Sequence, residues 1–254
     1  MSFEEEIHGD PAAELWLAAV LGNTHVRWGW FQDQTLLRVE LFSAQQPLPW
    51  PDQTELWLVG VGSAPVPTGS NCVHRLQLQD VPLGNLYPSL GLDRALALWA
   101  AGIHYGWPCL VIDGGTALTL TGADRAGSLV GGAILPGLGL QTQALSDHTA
   151  RLPKIDWDPD LALPPRWAND TPTAIRSGIL YTVLAGVQSF IADWRQRGSD
   201  GPVLLTGGDG EWLYSQLQNS GTDSDLHWDP HLVLRGIAQC RRLKHLAKNP
   251  LRIK

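Results

Sequence analysis

One pattern constrains this chain more than any other: an apolar run that halts at a glycine turn, followed by two further extended runs, and it occurs twice. LWLAAV (Leu15 to Val20) stops at Gly22-Asn23-Thr24, and HVRWGWF (residues 25–31) and TLLRVELF (35–42), joined by the polar QDQ, continue as an antiparallel meander. CLVIDGG (109–115) repeats the theme, with ALTLTGA and GSLVGGAILPG as the extended runs that follow. The echo predicts two similar halves, taken as residues 1–92 and 93–254.

Between and after the meanders the pattern changes. ELWLVGVGS (55–63) and CVHRLQL (72–78) read as strands, and DRALALWAAGIH reads as a helix with Asp93 as its N-cap. GLQTQALSDHTARL (139–152) reads as helical, residues 153–170 as a Pro-rich loop, and TAIRSGILYTVLAGVQSFIADWRQRG (173–198) as a long central helix. PVLLTGG (202–208) is an expected strand, GEWLYSQLQ a short helix, HLVL (231–234) a last strand and RGIAQCRRLKHLAK a terminal helix. Strands and helices alternate in this half, which favours a mixed α/β architecture.

The chain has 254 residues, 44% of them hydrophobic and 17% charged, so it can bury a substantial core and is not disordered as a whole. Its twelve Trp are scattered rather than set among basic residues, and they read as core filler. The net charge is −7, and the last 20 residues hold seven Lys or Arg and no acid. The acidic remainder argues against broad phosphate-backbone binding, so no nucleic-acid partner is expected. For the basic tail, a solvated or partner-covering helix and a surface for anionic partners both stand. Cys72, Cys109 and Cys240 are too few and too scattered for a disulfide framework. The polar, acidic start MSFEEEIHGD and the absence of any run of ~20 apolar residues predict a cytoplasmic protein without a membrane partner.

Three strand-terminal turns are candidates for chemistry: LGNT (21–24), DGGT (113–116) and TGGD (206–209). Glycine lets backbone N–H groups approach a ligand, and a Thr hydroxyl suits phosphate oxygens. Each alone also reads as an ordinary hairpin. No GxxxxGK[ST] loop occurs, and GGAILPGLG lacks the strand-to-helix setting of a dinucleotide fingerprint. In GLDR (91–94), Asp93 and Arg94 read either as a helix cap with a surface Arg, or as a proton acceptor beside an anion-holding cation. No GxSxG elbow, HExxH or DxDxDG loop is present. Asn169-Asp170-Thr171 matches a glycosylation sequon that an intracellular protein would not use.

The series GLDR, DGGTALT, GSLVGGAILPG, ALSDHTARLPKI (144–155), TPTAIRSGI (171–179) and TGGD, after an opening LGNT, resembles the type III pantothenate kinases of the actin, Hsp70 and sugar-kinase superfamily. The resemblance spans about residues 15–210. It implies a duplicated ribonuclease-H-like fold and transfer of the γ-phosphate of ATP to pantothenate, the first step of coenzyme A synthesis. It further implies Mg²⁺, a monovalent cation such as K⁺ or NH₄⁺, and a homodimer. Carried over, Asp93 matches the proton acceptor for the pantothenate hydroxyl, with Tyr87, Gly91, Leu92, Arg94 and Thr171 as substrate contacts. Gly22, Asn23, Thr24, Gly115, Thr116, Gly207 and Gly208 match ATP contacts, and Asp113 matches the monovalent-cation ligand. Val20 stands where the family opens with Asp, in DxGNT, and a Val side chain cannot ligate Mg²⁺. Two other readings stay open: an ATP-binding regulatory or accessory descendant with impaired catalysis, and a superfamily kinase acting on a sugar or acetate.

Overall fold

The computed structural model describes residues 14–22, 25–60, 72–221 and 225–248. Strand β1 (Leu15–Leu21) is buried on both faces from Trp16 to Ala19, the condition of a central strand. It pairs antiparallel with β2 (His25–Gln32) and parallel with β4 (Glu55–Gly60). Outside these lie β3 (Thr35–Ser43), antiparallel to β2, and β5 (Val73–Arg75), parallel to β4, giving the order β3-β2-β1-β4-β5. The second sheet holds β6 (Cys109–Gly114), β7 (Ala117–Ala123), β8 (Leu129–Pro136), β9 (Val203–Thr206) and β10 (Leu226–Trp228) in the order β10-β9-β6-β7-β8. Its pairings are again two antiparallel and two parallel, counted from the meander edge. The same topology built twice is a duplicated ribonuclease-H-like fold, and the repeated run-and-turn pattern is its sequence trace.

The chain separates into two compact units. One takes in the described residues up to Pro82, Tyr87–Ala100 and those from Val233 on; the other takes in Leu83–Leu86 and Ala101–Leu232. Neither is contiguous, unlike the expected halves 1–92 and 93–254. Helix α1 (Leu92–Tyr105) gives its first nine residues to the first unit, and the terminal helix returns to that unit.

In the first unit Trp16, Trp28, Trp57 and Phe31 fill the core, with Trp16 and Phe31 stacked at 4.5 Å between ring centroids. The terminal helix, named α5 below, fastens to this sheet through ion pairs: Arg241 reaches Glu55, and Lys244 lies 2.7 Å from Asp80. These basic residues therefore serve the unit's own acids. In the second unit α2 (Leu138–Asp147), α3 (Thr171–Gln196) and α4 (Gly210–Asn219) cover the sheet. Ile179, Val183, Val187 and Ile191 of α3 join Leu110, Ile112 and Leu120 of the strands in one core. Helix α3 is long and apolar enough to cross a membrane by length and composition, yet these residues mark it as a core helix. Six of the twelve Trp are buried, as expected of core filler, five are half-buried, and Trp167 is 89% exposed.

Several boundaries differ from the sequence reading. Helix α1 begins at Leu92, and the Gly91 carbonyl accepts the first intrahelical bond from Ala95 N (3.1 Å), so Gly91 rather than Asp93 is the cap. Helix α2 stops at Asp147 because Thr149 Oγ1 donates to the Leu145 carbonyl (2.6 Å), a local bond that competes with helix continuation. Helix α3 starts two residues before the expected Thr173, where Asp170 accepts from Thr173 N at 2.9 Å and Pro172 occupies the first turn. HLVL is not a strand. It opens α5 (Leu232–Lys248), since Asp229 Oδ1 accepts from His231 N (2.9 Å), and Leu232, Leu234 and Ile237 are buried. The last strand is instead the three-residue β10.

Candidate active site

Parallel pairing of β6 with β9 sets Asp113 opposite Thr206, so the DGGT and TGGD turns leave adjacent strand ends side by side. The Asp209 N–H donates to the Gly114 carbonyl at 2.8 Å and locks one turn to the other. Gly207 adopts φ +86°, and a Cβ there would collide with Asp113 Oδ1 and the Gly114 carbonyl. Only a residue without a side chain lets the Asp113 carboxylate occupy this place. Gly115 is half-buried, Thr116 and Gly208 are exposed, and the Thr116 carbonyl is held by Gly137 N (2.8 Å). The sequence-predicted residues Asp113, Gly115, Thr116, Gly207 and Gly208 thus lie in adjoining glycine turns, with the carboxylates of Asp113 and Asp209 beside them.

The corresponding turn of the first unit is described only in part. Gly22 N donates to the His25 carbonyl (3.0 Å), closing the β1–β2 connection, while Asn23 and Thr24 lie outside the described residues. Val20 is half-buried and pairs with Arg27 and Val59.

The GLDR segment forms the start of α1. Asp93 is exposed, and its Oδ1 accepts from Arg94 N at 2.8 Å, which fixes the carboxylate while leaving the rest of it to solvent. Gly91 is required by the same arrangement, because a Cβ there would lie 2.6 Å from Asp93 Oδ1. The Arg94 guanidinium is buried, with Nη1 donating to Tyr87 Oη at 3.3 Å, and Tyr87 is 40% exposed. Tyr87, Gly91, Leu92, Asp93 and Arg94 therefore form a second group, an exposed acid backed by a buried cation and a phenol.

Thr171 stands apart from both groups in sequence and element, exposed in the first turn of α3. It borders an open hollow of about 480 Å³ with Leu152, Asp170, Ala174 and Ile175. The N–H of Thr173 holds the Asp170 carboxyl below its ordinary pKa.

The residues fit a cation in one place. Among the described residues no cluster of three or more His, Cys, Asp or Glu side chains is suited to a metal ion. Magnesium in nucleotide sites needs only one or two carboxylates beside the phosphates, and Asp113 over the glycine cradle meets that requirement. Asp209 was not among the predicted site residues, although it closes the TGGD motif. Its Oδ1 accepts from Trp157 Nε1 at 2.7 Å, a tie from the 153–170 loop that nothing in the sequence signals.

The family model for type III pantothenate kinase matches residues 72–193. A Type III pantothenate kinase of Synechococcus sp. (strain JA-2-3B'a(2-13)) is 68% identical over 98% of both chains. Another, of Synechocystis sp. (strain ATCC 27184 / PCC 6803 / Kazusa), is 41% identical over 88% of this chain and 89% of its own. Among solved structures, the activator of the 2-hydroxyisocaproyl-CoA dehydratase from Clostridium difficile, with bound ADPNP, superposes with a TM-score of 0.51 at 8% identity, over 94% of this chain and 98% of its own, a likeness of fold. By its motifs, its duplicated sheet and its identity to these relatives over nearly its whole length, the chain belongs to the type III pantothenate kinase family.

Proposed function

We propose that this chain transfers the γ-phosphate of ATP to the primary hydroxyl of pantothenate, giving 4'-phosphopantothenate, with Asp93 as the base. The observation that carries the role of Asp93 is its carboxylate, exposed yet fixed by the Arg94 N–H at 2.8 Å. A base must be both reachable by the substrate and held in one orientation, and this group satisfies both. Asp93 would accept the hydroxyl proton as the oxygen attacks phosphorus. Tyr87, Gly91, Leu92 and Thr171 are assigned to pantothenate. Arg94, buried and bonded to Tyr87, carries a positive charge on the residue next to the acid.

Phosphoryl transfer asks a protein chiefly for positioning and charge neutralisation. Gly115 and Thr116 are assigned to phosphate oxygens, Gly207 and Gly208 to the adenosine half, and Gly22, Asn23 and Thr24 to the opening phosphate turn. Asp113 would hold the cation, which when bound offsets the phosphate charge. Mg²⁺ as the divalent ion, K⁺ or NH₄⁺ as the monovalent one, a homodimer and a cytoplasmic location belong to the same reading and rest on the family resemblance. Relatives at up to 68% identity described as pantothenate kinases support it over the regulatory descendant that Val20 brings to mind.

The test is ADP release by the purified chain with ATP, Mg²⁺ and K⁺, with and without pantothenate, beside an Asp93→Asn control. Pantothenate-dependent turnover that the control loses supports the assignment. Near-normal turnover by Asp93→Asn sinks the role of Asp93, and ATP binding without turnover under any cation favours the regulatory reading.

A further inference from the structure

Asp209 is an acid at the start of a helix that does not cap it. An Asp in that position ordinarily turns its carboxylate back onto the first N–H groups. Here the residue takes φ −92° and ψ −1°, and its side chain makes no cap bond. Its Oδ1 instead accepts from Trp157 Nε1 at 2.7 Å. Trp157 is itself held, edge-on to Trp212 with ring centroids 5.3 Å apart and planes at 86°. The Asp209 backbone is also committed: its N–H donates to the Gly114 carbonyl (2.8 Å), and its carbonyl accepts from Leu213 N (3.0 Å).

Burial pushes the Asp209 carboxyl above its ordinary pKa, and the single indole bond offsets this only in part. Holding a charge there costs stability, and an Asn would tie the Trp157 indole just as well without the charge. A purely structural tie does not account for a carboxylate. A ligand that offers hydrogen-bond donors does.

We propose that Asp209, oriented by Trp157, accepts hydrogen bonds from the ribose hydroxyls of the nucleotide, so that the site prefers ribonucleoside to deoxyribonucleoside triphosphates. The inference rests on the placement of ATP against Gly115, Thr116, Gly207 and Gly208 given above. A nucleotide has donors at its sugar and at the adenine amine, while its phosphates repel a carboxylate. The bond from Asp209 N to Gly114 keeps this residue against the phosphate-side turn, which puts its carboxylate at the sugar, the step between phosphates and base. At the neighbouring Gly208 nothing beyond the two adjoining residues lies within 4 Å of where a Cβ would be, which leaves open space at this turn. Trp157 acts as a positioning residue, fixing one carboxylate oxygen so that the other faces the ligand.

Calorimetric titration of ATP, 2'-deoxy-ATP, 3'-deoxy-ATP and ITP into the full chain with Mg²⁺, without pantothenate, tests this independently of turnover. The wild-type chain should bind ATP on the order of tenfold more tightly than at least one deoxy analogue, the discrimination expected of a charged acceptor that loses its donor. Asp209→Ala should weaken ATP and bring that ratio close to one, and Trp157→Phe, which keeps the ring but removes the indole donor, should lower the ratio in the same direction. An unchanged ratio in Asp209→Ala, or a change confined to ATP against ITP, overturns the assignment to the sugar. A wild-type ratio near one overturns it as well. Failure of the wild-type chain to bind any of these nucleotides overturns the nucleotide site itself, a result distinct from the other three.

Discussion

Asp93 keeps its carboxylate beside the bare α-carbon of Gly91, where a Cβ would lie 2.6 Å from Oδ1. The glycine of GLDR is thus tied to the acid two residues on by simple exclusion. Gly91→Ala should displace the carboxylate from the Arg94 N–H, and a misplacement of about 1 Å at a reacting group costs on the order of 10²-fold in turnover. The change sits at a helix cap, so the unfolding free energy should move by less than about 1 kcal/mol. Pantothenate-dependent ADP release together with urea unfolding of the same protein separates the two effects.

Gly207 stands in a similar relation to Asp113, with a left-handed backbone in addition. Gly207→Ala places a side chain at φ +86°, which costs about 1–2 kcal/mol before any contact is counted. The new Cβ would also drive the Asp113 carboxylate off the cradle. The melting temperature should fall, and the rise that ATP with Mg²⁺ gives to the wild-type chain should shrink or vanish, a difference visible in thermal melts with and without nucleotide.

These two glycines show how far the sequence could be read. DGGT and TGGD were legible as strand-end turns because glycine after an apolar run has few other uses, and the repeated order of runs gave the duplicated topology. Local pattern failed where side chains decide. HLVL carries strand-like composition, yet Asp229 holding His231 N turns it into the first turn of α5. GLDR placed the acid correctly near a helix start but two residues away from the cap, because the cap is a backbone carbonyl of Gly91. The division into units escaped the sequence because α5 returns to the first sheet through Glu55 and Arg241, 186 residues apart. Trp157 and Asp209 are likewise joined only by the fold, across 52 residues.

Glu55 anchors that return and gives the first unit a pH dependence. Burial alone would raise its pKa, but hydrogen bonds from Arg241 and Trp57 and the charges of Arg241 and His245 lower it below the ordinary value. His245 Nε2 and His74 Nε2 lie 3.2 and 3.4 Å from Oε1, and Arg241 Nε donates to Oε2 at 2.8 Å. A carboxyl with a depressed folded pKa stabilises fully above its unfolded value and loses that contribution as pH falls through the folded value. Arg241→Ala should therefore cost about 3 kcal/mol near neutral pH, as expected when one partner of a buried pair is removed. The cost should diminish as the pH falls below the ordinary carboxylate range, through the lowered pKa of Glu55, where that group protonates in the wild-type chain as well. Urea unfolding of both proteins between neutral pH and pH 3 measures it.

Val20 and Asp113 hold the penultimate position of the central strand in their respective sheets, Val20 opposite Val59 and Asp113 opposite Thr206. The two repeats therefore present an apolar side chain and a carboxylate at equivalent sites. With only Asp113 to meet a divalent cation among the residues assigned to phosphate, the chain should need more Mg²⁺ than one with acids in both turns. Val20→Asp tests this, since the site is half-buried at a strand end and a charge there should cost no more than about 1–3 kcal/mol. The variant should reach half-maximal turnover at several-fold lower Mg²⁺, and the pantothenate KM should stay as it is because no pantothenate contact is altered. A Mg²⁺ dependence that does not move would mean that the carboxylate of the second repeat already supplies all the metal contact the protein makes.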